Sequence, residues 1–183
     1  MSFKVFIPTA GIGSRLGKFT SKINKSLVSV NNKPVISHII ELFPNSCSFV
    51  IALGYKGDLV KEFVEQVYPK KSIEFTSIDP YFGVNSGLTH TLFSSSHLLQ
   101  EPFVFISCDT LTTNKVPIPD HDWVAYAKSI EIDSYRTLDI NSKIVQKFNE
   151  KGIGKKEINF PYMGLSGIYN FQSFWEGIEK DKK

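Results

Sequence analysis

The sequence predicts a three-layer α/β/α domain with a mostly parallel central sheet. Three observations point there. Short runs rich in apolar, β-branched and aromatic residues recur with little strict alternation, as in strands covered on both faces. Amphipathic segments with helical spacing lie between them. The two kinds of segment alternate, which implies parallel strands joined by right-handed crossovers, with helices on both faces of the sheet.

Phe3 to Pro8 reads as the first buried strand and Ser48 to Leu53 as the second. Ser72 to Ser77 is the third, Pro102 to Ser107 the fourth and Trp123 to Ala127 the fifth. Between them, Pro34 to Phe43 places Val35, Ile36, Ile39, Ile40 and Phe43 along one stripe, with Pro34 suited to a first turn. Asp58 to Tyr68 puts Leu59, Phe63, Val64 and Val67 on one side, and Asp58 complements the positive helix start. Gly87 to Leu99 is a third helix. Beyond Ala127 the pattern loosens. Tyr135 to Lys147 fits a hairpin or a meander, and Met163 to Phe171 a strand entering a last helix. Sites in such sheets collect beyond the carboxyl ends of the strands, so chemistry is expected just after Pro8, Leu53, Ser77 and Ser107.

A chain of 183 residues suits a single domain, 1–183, with enough core to need no disulfide or metal staple. Its 21 basic and 18 acidic residues leave a formal charge of +3, too mild for nucleic acid but compatible with an anionic small molecule. Cys47 and Cys108 lie in apolar surroundings without CxxC spacing, so reduced core thiols are expected. No run of 18 apolar residues exists, and the first residues lack the pattern of a signal peptide. A soluble cytoplasmic protein is expected.

The most informative stretch follows the first strand: Pro8-Thr9-Ala10-Gly11-Ile12-Gly13-Ser14-Arg15-Leu16-Gly17. Two glycines one residue apart let the backbone turn sharply and present successive N–H groups to an anion. Arg15 adds a planar fork of donors for phosphate. A dinucleotide fingerprint would want a third small residue where Leu16 stands, and an acid closing the second strand where Leu53 stands. A Walker loop would want glycine before its lysine, but Asn24 precedes Lys25-Ser26.

A third loop type fits. The run from Gly11 to Ile36 resembles the signature of the nucleotidyltransferases that activate sugar phosphates and related phosphorylated acceptors. The matching residues are Gly11, Gly13, Arg15, Leu16, Thr20, Lys25, Leu27, Val30, Lys33 and Pro34, in that order. Departures are Pro8-Thr9, where the family prefers Leu-Ala or Leu-Gly, and Asn24, where it usually has proline. The resemblance implies a Rossmann-like nucleotidyltransferase fold. It also implies Mg²⁺-dependent transfer of a nucleoside monophosphate from an NTP to a sugar 1-phosphate or phosphocholine-like acceptor, with release of pyrophosphate, for activated precursors of surface polysaccharide.

It implies residue roles as well. Ala10, Gly11, Gly13, Ser14 and Arg15 would hold the β- and γ-phosphates, and Lys25 the α-phosphate and the attacking phosphate. Lys33 is read as structural or surface-facing. The segment Phe82 to Leu92 is similar to the family's base loop, so Asn85 and Gly87 would meet the nucleobase; as a plain helix start, Asn85 or Ser86 would be a cap. Phe82 stands near where uridylyl- and thymidylyltransferases carry glutamine, which points toward CTP. Asp109, ending the fourth strand, matches the family's magnesium ligand, and a carboxylate shared with substrate phosphate suits that ion. The sequence Cys108-Asp109-Thr110 is not the D-x-D of glycosyltransferases. Glu150 and Lys151 resemble the acceptor segment, with Gly152 in place of a proline, and Gly164 a strand lining the acceptor pocket. The family's second magnesium aspartate would lie beyond the last residues, so the domain is expected to be truncated at its C-terminus relative to the family. A further domain or C-terminal segment would then complete it. Two other readings remain at this point: a non-catalytic nucleotide-binding regulatory module, and a nucleotide-sugar glycosyltransferase.

Overall fold

The structure is a computed structural model and describes residues 3–128, 133–152 and 160–181. The last two residues of the basic tail lie outside them. Among the described residues the elements run β1 (Lys4–Pro8), β2 (Ser29–Val30), β3 (Lys33–Pro34), α1 (Val35–Glu41), β4 (Ser48–Leu53), α2 (Gly57–Val67), β5 (Ser72–Ser77) and α3 (Leu88–Ser95). They continue as β6 (Phe103–Ile106), β7 (Trp123–Tyr126), β8 (Thr137–Asn141), β9 (Ile144–Asn149), β10 (Phe160–Ile168) and α4 (Phe171–Asp181).

The sheet order is β5-β4-β1-β6-β10-β8-β9, with β7 also paired to β10. The strands β5, β4, β1 and β6 are mutually parallel, with Val5 opposite both Phe49 and Val104. This is the parallel core expected. From β10 onward the pairing is antiparallel, so the sheet is mixed. The strand Trp123–Tyr126 is half-buried beside β10 rather than covered on both faces.

Alternation along β1 builds the layers. Val5 and Ile7 point into a cluster with Ile36, Ile39 and Ile40 of α1 and Val60 and Val64 of α2. Phe6 points to the other face, with Leu92 of α3, Trp175 of α4, and Phe103 and Phe105. Phe6, Phe49 and Phe103 are all fully buried, and truncating any one would cost roughly 3–5 kcal/mol.

Some boundaries differ from expectation. Pro34 is not in the first turn of α1 but is its N-cap, because Lys33 and Pro34 pair with Ser29 and Val30 in a small ribbon. The segment Gly87–Leu99 is α3 followed by a separate 3-10 turn, Ser96–Leu98. Tyr135–Lys147 falls on the β8/β9 hairpin, whose two-residue turn Ser142-Lys143 has φ of 50° and 66°. Positive φ at both turn positions matches the twist of the strands it joins. Cys47 and Cys108 are free and buried, as expected of core thiols.

Candidate functional site

The parallel arrangement brings the ends of β1, β4, β5 and β6 to one edge of the sheet, and the loops after them meet there. Thr9 anchors the first loop to the second: its N–H and its hydroxyl both donate to the Ala52 carbonyl, at 2.9 and 2.7 Å. The Tyr55 N–H donates to the Ala10 carbonyl at 2.9 Å. Gly54 has no room for a side chain, since a Cβ there would sit 2.7 Å from the Ala10 oxygen. The unusual Thr9 therefore serves as a bracket at the root of the glycine loop.

The loop then turns through Gly13, whose φ of 71° suits glycine, into a 3-10 turn at Ser14–Thr20. Gly11, Ser14 and Arg15 are exposed at this edge, and Ala10 is buried beneath it. Thr20 closes the turn by donating to the Gly13 and Gly17 carbonyls, both at 3.2 Å, and the Tyr55 hydroxyl donates to the Thr20 carbonyl at 3.0 Å. A Cβ on Gly13 would lie 3.0 Å from the Lys25 Cβ, so the stem of Lys25 passes directly over this glycine.

Lys25 occupies the 3-10 turn Lys25–Leu27, and its Nζ reaches Oδ2 of Asp109 at 3.1 Å. The two residues are 84 positions apart. Asp109 stands in the turn after β6, braced by the Thr110 N–H donating to the Ser107 carbonyl at 2.9 Å. The Thr110 hydroxyl donates to the Met163 carbonyl at 2.7 Å. Next to Met163, Gly164 has φ of 69°, and a Cβ there would sit 2.6 Å from the Ser107 hydroxyl. Gly164 is thus a bulge in β10 that lets the strand close against the aspartate turn.

Burial opposes the charge on Lys25, but Cys108 once ionised at high pH and the Asp109 carboxylate outweigh it, so its pKa lies above the ordinary lysine value. Burial also pushes the Cys108 thiol up to about 11. The thiol is therefore neutral at physiological pH, and Asp109 is the anion that Lys25 meets there. Half-exposed, Asp109 fits the sharing of one carboxylate between a divalent cation and bound phosphate. Among the described residues no cluster of three or more His, Cys, Asp or Glu side chains forms a self-sufficient metal site.

The loop after β5 holds Asn85 and Gly87, the residues expected to meet a nucleobase. Gly83, Asn85 and Gly87 have φ of 82°, 65° and 133°, so the segment coils tightly before α3. Neither Asn85 nor Ser86 caps that helix. Gly87 is the N-cap, and the Ser86 hydroxyl instead donates to the Gly83 carbonyl at 2.7 Å. His90 bonds the Asp79 carbonyl at 3.1 Å, tying the loop to its own helix. Phe82 and Val84 are largely exposed on this loop, as is Phe19 on the glycine loop.

Of the residues expected at the acceptor, Glu150 accepts from Nη2 and Nε of Arg136 at 3.0 and 3.2 Å, while Lys151 is exposed in the following turn. Lys33 pairs with Glu41 at 2.6 Å, consistent with its structural reading. The sequence pointed to neither Arg136 nor Tyr55, and to Asn24 only as a departure from the family. Gly54, directly after an apolar strand, was the one local signal of a close backbone approach there.

No family model matches the chain. Glucose-1-phosphate cytidylyltransferase of Salmonella typhimurium (strain LT2) is 34% identical over 62 residues, which cover 33% of this chain and 24% of that protein. This chain therefore matches about a quarter of the length of that curated relative. Among solved structures, a UDP-glucose pyrophosphorylase complexed with UDP-glucose superimposes with a TM-score of 0.78 at 18% identity, covering 98% of this chain and 80% of that one. CTP:phosphocholine cytidylyltransferase from Streptococcus pneumoniae does so with a TM-score of 0.78 at 20% identity, covering 98% and 77%. The chain thus has the fold of sugar-phosphate and phosphocholine nucleotidyltransferases of known structure, and over 62 residues its sequence is similar to a glucose-1-phosphate cytidylyltransferase.

Proposed function

We propose that the protein transfers a nucleoside monophosphate from an NTP to a phosphorylated acceptor and releases pyrophosphate. The observation that carries this reading is the contact of Lys25 with Asp109, made at the mouth of the glycine loop. A cation and a carboxylate from distant parts of the chain converge beside a turn rich in exposed amides. Phosphoryl and nucleotidyl transfer ask for little else, since positioning and charge neutralisation supply most of the rate.

In this reading the amides from Gly11 to Ser14 and the Arg15 guanidinium hold the departing pyrophosphate. Lys25 orients the α-phosphate and screens the incoming acceptor phosphate, whose own oxygen is the nucleophile. Asn85 and Gly87 meet the nucleobase, with CTP the favoured donor. Lys151 and the Gly164 bulge border the acceptor, and Glu150 keeps Arg136 in place beside it. Asp109 would hold Mg²⁺, which supplies Lewis-acid stabilisation of charge on the phosphates when bound. The residues 1–183 would act as one domain. The acceptor would be a sugar 1-phosphate or a phosphocholine-like compound, and the product a cytoplasmic precursor for surface polysaccharide.

The test is pyrophosphate release with Mg²⁺, a panel of the common NTPs, and glucose 1-phosphate or phosphocholine. Release with at least one pairing supports the reading. No release from any pairing, with nucleotide bound, would turn the reading toward a regulatory binding module.

A further inference from the structure

The residue before Lys25 is an asparagine with no exposed surface. Its amide nitrogen donates to the Thr9 carbonyl at 2.8 Å and to the Tyr55 carbonyl at 2.6 Å. Its oxygen accepts from the Ser26 N–H at 2.9 Å and from the Ser26 hydroxyl at 2.8 Å. Two donors and two lone pairs exhaust what a carboxamide can offer. One side chain thus joins the end of β1, the loop after β4 and the turn that carries Lys25.

We infer that Asn24 is a positioning residue for Lys25, fixing the lysine turn against the root of the glycine loop so that the ammonium meets Asp109. Two features make the arrangement specific rather than generic core packing. The bonds to Thr9 and Tyr55 need an N–H₂ group, whereas the bonds from Ser26 need an oxygen, so only a carboxamide satisfies both sides. The stem of Lys25 also has little freedom, because it lies against Gly13 on one side. A small rotation of the turn therefore moves the ammonium, not merely the backbone. A proline at this position would lack the amide altogether and could not tie the three segments together in this way.

The inference rests on the proposed transfer reaction for its kinetic test, and a crystallographic test stands apart from it. Asn24→Asp is nearly isosteric and keeps the oxygen that Ser26 uses, but turns a carboxylate oxygen toward the Thr9 and Tyr55 carbonyls. In a crystal structure of this variant, Lys25 is expected to have left Asp109, beyond the roughly 4 Å limit of an ion pair. Retention of the 3.1 Å contact would overturn the inference, whether or not the protein turns over substrate.

Kinetically, Asn24→Asp should lower kcat by about tenfold or more in wild-type background and change it little in a Lys25→Ala background. That non-additivity is the mark of residues acting through one another. Equal losses in both backgrounds would mean a merely structural role and would also overturn the inference. If Asn24→Asp does not fold, Ser26→Ala removes a single bond to the carboxamide and should reproduce the same non-additivity on a smaller scale; its absence counts against the inference. A wild-type protein that releases no pyrophosphate from any pairing refutes the transfer reaction, and the crystallographic result then decides the role of Asn24 alone.

Discussion

Nζ of Lys25 lies 3.1 Å from Oδ2 of Asp109, and the pair spans the edge of the sheet between the loops after β1 and β6. Lys25 is mostly covered while Asp109 is more than half exposed, so the pair itself adds well under about 1 kcal/mol to stability. Its value is in placement. Lys25→Ala should therefore reduce turnover by roughly two orders of magnitude or more, on the scale of a lost charge-stabilising donor. The melting temperature should move by no more than about 4 °C. Steady-state kinetics and a thermal melt on the same preparation check both halves.

The two glycines of the loop should behave differently. Gly13→Ala meets the positive φ and the Lys25 and Thr20 side chains, at 3.0 and 3.1 Å. It should cost about 1–2 kcal/mol of stability from backbone strain alone. Gly11→Ala meets nothing within 4 Å and has an ordinary φ, so stability should hold. Calorimetry with CTP should show weaker binding for both variants, whereas a melt should separate them.

Much of the scaffold was legible because burial on both faces leaves a plain trace in sequence. The run Ser48–Leu53 coincides residue for residue with β4, which is buried on both faces. Ser72–Ser77 coincides with β5, but that is an edge strand exposed at Ser72, Glu74 and Ser77, and so not covered on both faces as expected. The antiparallel half was harder. β10 is nine residues long and bulged at Gly164, so its alternation breaks in the middle, and Trp123–Tyr126 is apolar yet only half-buried. The glycine loop and its lysine were legible as a spacing pattern. The pairing of Lys25 with Asp109 is a tertiary fact across 84 residues, and periodicity does not encode it. Asn24 was visible only as an exception, since two of its four bonds depend on carbonyls brought in from two other loops.

Gly164 should prove sensitive for the same geometric reason. Gly164→Ala would place a methyl group 2.6 Å from the Ser107 hydroxyl at a φ of 69°. Strain and overpacking together should cost roughly 2–4 kcal/mol, a fall in melting temperature of about 5–15 °C. Because Ser107 and Thr110 brace the aspartate turn, kcat should fall as well, measured well below the new melting point.

Cys108 gives a pH signature. Its thiol has a pKa of about 11 when folded against 9.0 for an ordinary cysteine, because burial disfavours the thiolate. The folded state thus holds the proton longer than the unfolded one. Its contribution is intact below pH 9 and is lost as pH rises toward 11, at up to about 1.4 kcal/mol per pH unit. Urea unfolding of wild type and Cys108→Ala at pH 8, 9.5 and 10.5 should show the wild type losing stability more steeply. Parallel losses would contradict the assignment.

The central claim is that a triphosphate lies across the amides from Gly11 to Ser14, between Arg15 and Lys25. A crystal structure with CTP and Mg²⁺ tests it most directly. The account predicts phosphate oxygens on those amides, Lys25 turned onto the α-phosphate, and Asp109 facing the cation. Nucleotide bound away from this edge of the sheet, or Lys25 and Asp109 paired as before with no phosphate near them, would contradict it.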